Sequence, residues 1–239
     1  MLELVDVCKY YKKVKAIDNI SFRVHDGEVL GLIGENGAGK STTLSMIATI
    51  MKPDSGQIFF DGEDVLKYPK KIRKSLGFVP QDIALYESLT GYDNVMFWGR
   101  AYHLNDDTIK ARMNDICEMV SFSKEDLHKK VKEYSGGMKR KLNIAVALLH
   151  QPKLVIMDEP TVGIDINSRN QILRAINAMK KQGTSIIYVG HYMEEVEAIC
   201  DRVVILRHGT CVYNATIKET ADKESAKVPL ETLYIELIK

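Results

Sequence analysis

Apolar and polar residues follow two different periods along this chain. "ISFRV" (Ile20 to Val24) alternates apolar and polar positions, the period of a half-buried strand. "EVLGLI" (Glu28 to Ile33) is a continuous apolar run that stops at glycines, and "LVIMDEP" (Leu154 to Pro160) is another that stops at two carboxylates. "SGQIFFDG" reads as strand and turn, and "TSIIYVGH" and "DRVVILRHG" repeat the strand pattern later. Continuous apolar strands separated by helical stretches predict an α/β sheet with parallel strands at its centre. From about Thr90 to His150 the strand pattern gives way to a helical one. Ile109, Met113, Ile116 and Val120 fall on one helical face, and "GGMKRKLNIAVALLH" is a proline-free helix candidate. A mostly helical segment is therefore expected inside an α/β core. "PLETLYIELIK" predicts one short amphipathic helix at the end.

The 239 residues suffice for one sizeable domain with a smaller lobe. A formal net charge of +1 gives no bulk electrostatic reason for nucleic acid as a partner, and the lysine clusters "YYKKVK" and "HKKVK" read as solvated faces. Cys8, Cys117, Cys200 and Cys211 form no CxxC pair and no zinc spacing, which fits a reduced compartment. No signal peptide is expected from "MLELVDVCKYY", and no apolar run reaches the roughly 18 residues of a membrane helix.

"GENGAGKS" fits G-x-x-x-x-G-K-[ST] at Gly34, Gly39, Lys40 and Ser41, between a predicted strand and a predicted helix. A polyphosphate needs many donors close together. Glycines admit positive φ and let backbone amides approach the oxygens, and the following helix adds the positive end of its dipole. The expected nucleotide-binding groups are Gly34, Asn36, Gly37, Ala38, Gly39, Lys40, Ser41 and Thr42. Lys40 supplies a mobile point charge and Ser41 a hydroxyl for Mg²⁺. Tyr10 and Tyr11 precede the loop; a tyrosine there can stack on a purine or be an ordinary surface ring.

At the end of "LVIMDEP", adjacent strand positions are expected to send Asp158 and Glu159 to opposite sides. Asp158 can then help hold Mg²⁺ while Glu159 orients or deprotonates a water. His191 follows the apolar "SIIYVG" and can be structural or reach a γ-phosphate; Gln81, after "GFVP", reads from spacing alone as a loop glutamine. In "EYSGGMKRK", Ser135 is a natural N-cap, and Gly136 and Gly137 suggest a backbone that something approaches closely. That makes a second anion device in a chain with one carboxylate set. It is either a helix cap alone or it serves the nucleotide of a second chain in a two-fold pair.

These motifs, in this order, resemble the ATP-binding subunit of ABC transporters over essentially the whole chain as far as Tyr213. "GENGAGKST" is similar to the Walker A motif, "LVIMDEP" to Walker B and "YSGGMKRKL" to the ABC signature. Gln81 falls at the Q-loop glutamine, Asp165 at the D-loop, His191 at the H-loop and Tyr11 at the adenine-stacking aromatic. The resemblance implies a P-loop NTPase: a RecA-like α/β core with an antiparallel β-subdomain and an inserted helical subdomain. It divides the chain into 1–87 and 153–220 (core and β-subdomain), 88–152 (helical, signature-bearing) and 221–239 (C-terminal helix).

It also implies ATP and Mg²⁺ as cofactors, with Glu159, His191 and Gln81 catalytic. Ser41, Gln81 and Asp158 would serve the metal, and Ser135, Gly136 and Gly137 would act in trans on a second cassette. The partners implied are a membrane permease, docked near Gln81 to Trp98, and a like or paralogous ATPase, with the chain on the inner face of the cell membrane. "SGGMKRKL", "LYESLTGYDN", "HYMEE" and the short tail resemble the drug- and polysaccharide-export type. An import ATPase and a soluble non-transport ATPase are the alternatives. Tyr134 stands where the signature usually has leucine, Ile166 where proline follows the D-loop aspartate, and Gly190 where Ser or Thr precedes the histidine.

Overall fold

The structure of the protein, a computed structural model, describes residues 1–218 and 229–238. The predicted segments 153–220 and 221–239 therefore extend in part outside the described residues. The chain forms two compact units, Met1–Arg73 with Ser185–Lys239, and Lys74–Thr184.

In the first unit, β1 (Leu2–Tyr11) and β2 (Val14–Val24) form an antiparallel hairpin, and β1 also pairs antiparallel with a later strand, Ser55–Phe60. The predicted strand at Ile20 to Val24 is thus the second half of a longer one. Ile17, Ile20, Phe22 and Val24 of β2 are buried. β3 (Val29–Gly34) is buried at every residue and leads through the glycine loop into α1 (Lys40–Ile47). The strand at Ser55–Phe60 is β4, and it turns at Gly62 into β5 (Glu63–Asp64), giving the antiparallel order β2-β1-β4-β5. α2 (Pro69–Ser75) follows.

In the second unit, β6 (Leu76–Val79) lies parallel to β7 (Leu154–Asp158). Between them run α3 (Gly91–Ala101), α4 (Asp106–Met119) and α5 (Gly136–Leu148); α6 (Ile166–Lys181) follows β7. Each starts under a side-chain cap: Thr90 and Asp93 form a capping box on α3, Asn105 caps α4, Ser135 caps α5 and Asp165 caps α6. Such a cap contributes about 1 kcal/mol. The predicted face of α4 is buried, with Ile109, Met113 and Ile116 in the helix and Val120 just beyond it.

The chain then returns to the first unit. β8 (Ser185–Val189) and, after α7 (Met193–Ile199), β9 (Arg202–Arg207) both pair with β3 in parallel. Flanked on both edges, β3 has no polar residue, as a central strand requires. β10 (Thr210–Thr216) turns back antiparallel on β9. The C-terminal helix α8 (Leu230–Ile238) is tied down where Leu230 N donates to Glu197 Oε1 at 2.6 Å. Among the described residues no helix is long and apolar enough to cross a membrane.

Candidate nucleotide and signature sites

The glycine loop begins where β3 ends. Gly37 and Gly39 have φ of 82° and 105°, backbone that side-chain-bearing residues rarely adopt. A Cβ at Gly34 would lie 2.3 Å from the Leu206 carbonyl oxygen of the neighbouring β9. α1 then starts at Gly39 with no side-chain cap. No side chain accepts from its first turn, in contrast to α3 through α6, and the positive end of its dipole faces the loop. The Lys40 ammonium is folded back on the loop, donating to Gly34 O at 2.7 Å and Glu35 O at 3.0 Å. Its charge is therefore already on the loop and buried. Ser41 is exposed on the first turn, Thr42 half-buried, and Asn36 exposed at the loop tip. Tyr11, at the end of β1, is 45% exposed, and its hydroxyl lies 3.2 Å from Met51 Sδ.

In the second unit, β7 ends at Asp158 and Glu159 has left it, at φ 50°. Strand alternation is the expected means of parting the two carboxylates; Glu159 lies outside the strand, in a left-handed backbone conformation costly for a glutamate. Glu159 is 8% exposed, and Gln81 Nε2 donates to its Oε2 at 2.8 Å. The loop glutamine and the strand-end carboxylate, 78 positions apart, are thus bonded partners.

Ser135 Oγ accepts from Met138 N at 3.2 Å, as a cap should. The close approach anticipated at the two glycines is found at Gly137 alone, and it is internal. A Cβ there would lie 2.1 Å from Ser168 Oγ and 3.2 Å from Asp165 Oδ2. At Gly136 the nearest atoms would be 3.8 and 3.9 Å away, on Gly163 and Ile164. The signature turn therefore packs on the D-loop segment of its own chain. Asp165 caps α6 through Ser168 N at 2.9 Å, and the Ser168 hydroxyl and amide hold its carboxyl below the usual range.

Two departures noted in the sequence have structural reasons. Tyr134 is buried, its hydroxyl donates to Asp126 O at 2.5 Å, and a Cβ on Gly91 would meet that oxygen at 2.3 Å. Burial pushes its pKa up to about 12. Gly190 is explained by Tyr188: a Cβ there would lie 2.6 Å from the Tyr188 ring. Tyr188 in turn donates to the buried Glu195 carboxylate, spanning the exposed turn that carries His191. Sequence reasoning passed over Arg140. It is 6% exposed and donates Nη1 to Pro80 O and Nη2 to Gln81 O at 2.9 and 2.8 Å. Burial pulls its pKa below the ordinary value, while Asp82, Asp158 and Glu159 favour its charge.

A central parallel strand, a glycine loop and an uncapped helix behind it define a P-loop NTPase fold. Solved structures agree. One described as the ATP binding subunit of an ABC transporter is 31% identical with a TM-score of 0.90, covering 100% of both chains. A dimeric ATP-binding cassette in a post-hydrolysis state, bound to ADP and Pi, is 25% identical with a TM-score of 0.82, over 91% of this chain and 99% of that one. The family model for ABC transporters matches residues 17–162, and the chain belongs to that family. It is an ATPase of the cassette type. The linearmycin resistance ATP-binding protein LnrL of Bacillus subtilis is 46% identical over 216 residues, 90% of this chain and 69% of LnrL. The Nod factor export ATP-binding protein I of Rhizobium etli is 37% identical over 93% of this chain and 70% of its own length.

Proposed function

We propose that this chain is the ATP-driven motor of an exporter whose membrane path is a separate permease, held at the inner face of the membrane by that partner. The observation that carries the reading is the uncapped start of α1 beneath a positive-φ glycine loop that already holds the Lys40 ammonium. The names of the relatives, linearmycin resistance and Nod factor export, support export over import.

In this reading Tyr11 stacks on adenine, and the amides from Gly34 to Thr42 and Lys40 bind the phosphates. Among the described residues no group of three or more His, Cys, Asp or Glu is placed to hold a metal. Mg²⁺ usually takes one or two carboxylates, with the rest of its shell from phosphate and water. Ser41 Oγ, the Asp158 carboxylate and the Gln81 amide oxygen are the proposed donors, all of them oxygen, the kind a hard cation takes. Bound there, Mg²⁺ would offset charge on the phosphates. Glu159, oriented by Gln81, takes a proton from the attacking water, and His191 stabilises charge at the γ-phosphate. Ser135, Gly136 and Gly137 meet the nucleotide of a second cassette, identical or paralogous, with Asp165 beside them. The assignment of 88–152 as the helical subdomain belongs to this reading, as does permease docking near Gln81 to Trp98.

The test is light scattering and phosphate release with Mg²⁺–ATP, comparing wild type with Glu159→Gln. Hydrolysis by the wild type, its loss in the variant, and an ATP-dependent dimer of the variant are expected. Equal hydrolysis by both would remove Glu159 as the base, and no hydrolysis by either would overturn the motor reading.

A further inference from the structure

α5 presents a row of side chains to the segment just after β6. Arg140, its fifth residue, holds the carbonyls of Pro80 and Gln81 with the two arms of one guanidinium. One turn on, Asn143 Oδ1 accepts from Ala84 N at 3.2 Å. Both side chains are buried, Arg140 at 6% and Asn143 at 1% exposure. Gln81, whose carbonyl is held, passes its own amide N–H to Glu159. Two hydrogen bonds, joined through the Gln81 residue, thus link α5, whose first turn is the Ser135–Gly137 motif, to the buried carboxylate after β7. The fork matters here. Two carbonyls from consecutive residues match the planar, doubly donating guanidinium, whereas a lysine offers a single point charge. A surface salt bridge on the same helix, Lys139 to Glu87, lies outside this path.

We propose that Arg140 is a positioning residue for hydrolysis: it fixes Pro80 and Gln81 so that the Gln81 amide holds Glu159 in place, and it ties that alignment to the signature turn at the head of its own helix. A helix moves as a rigid body, so any shift of its first turn carries Arg140, and through it Gln81. The inference rests on the proposed role of Glu159.

The experiment measures kcat and KM for Mg²⁺–ATP, and ATP affinity by calorimetry, for wild type, Arg140→Lys, Arg140→Gln and Lys139→Ala. Partners one shell out from the chemistry typically change activity by about 10- to 100-fold. Arg140→Lys should lower kcat by about that factor while KM and ATP affinity hold within about twofold, the pattern of an interaction that does not serve ground-state binding. Arg140→Gln, which keeps two N–H donors on one amide, should fall less. Lys139→Ala should stay near wild type. In a Gln81→Ala background Arg140→Lys should cost nothing further, because Arg140 acts through Gln81. Undiminished kcat in both Arg140 variants, or full additivity with Gln81→Ala, overturns the proposal and leaves the motor reading standing. So does a fall in ATP affinity parallel to kcat, which would make Arg140 a support of the fold. Absence of hydrolysis in the wild type overturns both.

Discussion

At the phosphate loop Gly37 and Gly39 stand at positive φ; at the signature turn Gly136 and Gly137 are the first two residues of an ordinary helix. Gly37 has nothing within 4 Å of where a Cβ would sit, so backbone conformation alone demands glycine there. Gly137 has unremarkable backbone and no room, because Ser168 fills the space. The helices behind them differ as well. α1 begins without a side-chain cap, and α5 begins with Ser135 already bonded to Met138 N. The first region is thus shaped as a receptor by itself. The second has much of its capping and packing satisfied within the chain, and it has one open face, at Gly136. Two glycine motifs that look alike on paper answer to different physics.

The largest effect should come from removing the charge of the first region. Lys40→Met is expected to lower kcat by about 10²–10³, the cost typical of losing one preorganised donor to developing charge. It should leave the melting temperature little changed, since methionine keeps most of the buried side-chain volume and gives up donations to two loop carbonyls of the same turn. Phosphate release and a thermal melt check both halves. Next is Gly137→Ala. Overpacking against Ser168 should destabilise the fold by about 1–3 kcal/mol. Ser168→Gly should recover part of that loss in the double variant, read as non-additivity in urea unfolding. Gly136→Ala sharpens the contrast, because space is open there. Stability should hold or rise by up to about 1 kcal/mol from helix propensity, while ATP-driven pairing weakens in a Glu159→Gln background. If pairing is untouched, the turn is a helix cap and nothing more.

The smallest effect is a pH dependence away from both regions. His150 stacks on Tyr102 at 3.9 Å between ring centroids and contacts Leu76 O, and burial pulls its pKa below 6.5. With the folded value depressed, the contribution of His150 is complete above pH 6.5 and is lost as pH falls through the folded value. Denaturant midpoints between pH 7.5 and 5 should decline, and His150→Gln should flatten that decline.

What could be read from the sequence follows from how local each signal is. The run from Val29 to Gly34 carries its burial in its composition, and the loop after it carries its conformation in its glycines. Ser135 announces its helix because a cap needs only the next three residues; Asp165 caps α6 in the same way but reads in the sequence only as a motif residue. The β1–β2 hairpin was only half visible, since Val14 and Lys15 are exposed at its outer end and break the alternation. Arg140 sits in "MKRK", inside a helix candidate that does not tell which basic residue is buried; its two carbonyl partners lie 60 and 59 positions earlier. Ser168 against Gly137 and Tyr188 against Gly190 are likewise matters of fit between side chains, which no spacing rule encodes. The left-handed turn at Glu159 was also out of reach, because a glutamate gives no hint of it.

That turn sets stability against activity. A glutamate at φ 50° occupies backbone that glycine or asparagine takes more readily, so the chain is folded in spite of its proposed base at that position. Glu159→Gly relieves the backbone while giving up the Gln81 bond, and the inactive protein should be at least as hard to unfold as the active one. A search for hardier variants that screens only for heat resistance would drift toward dead cassettes, beginning at this residue.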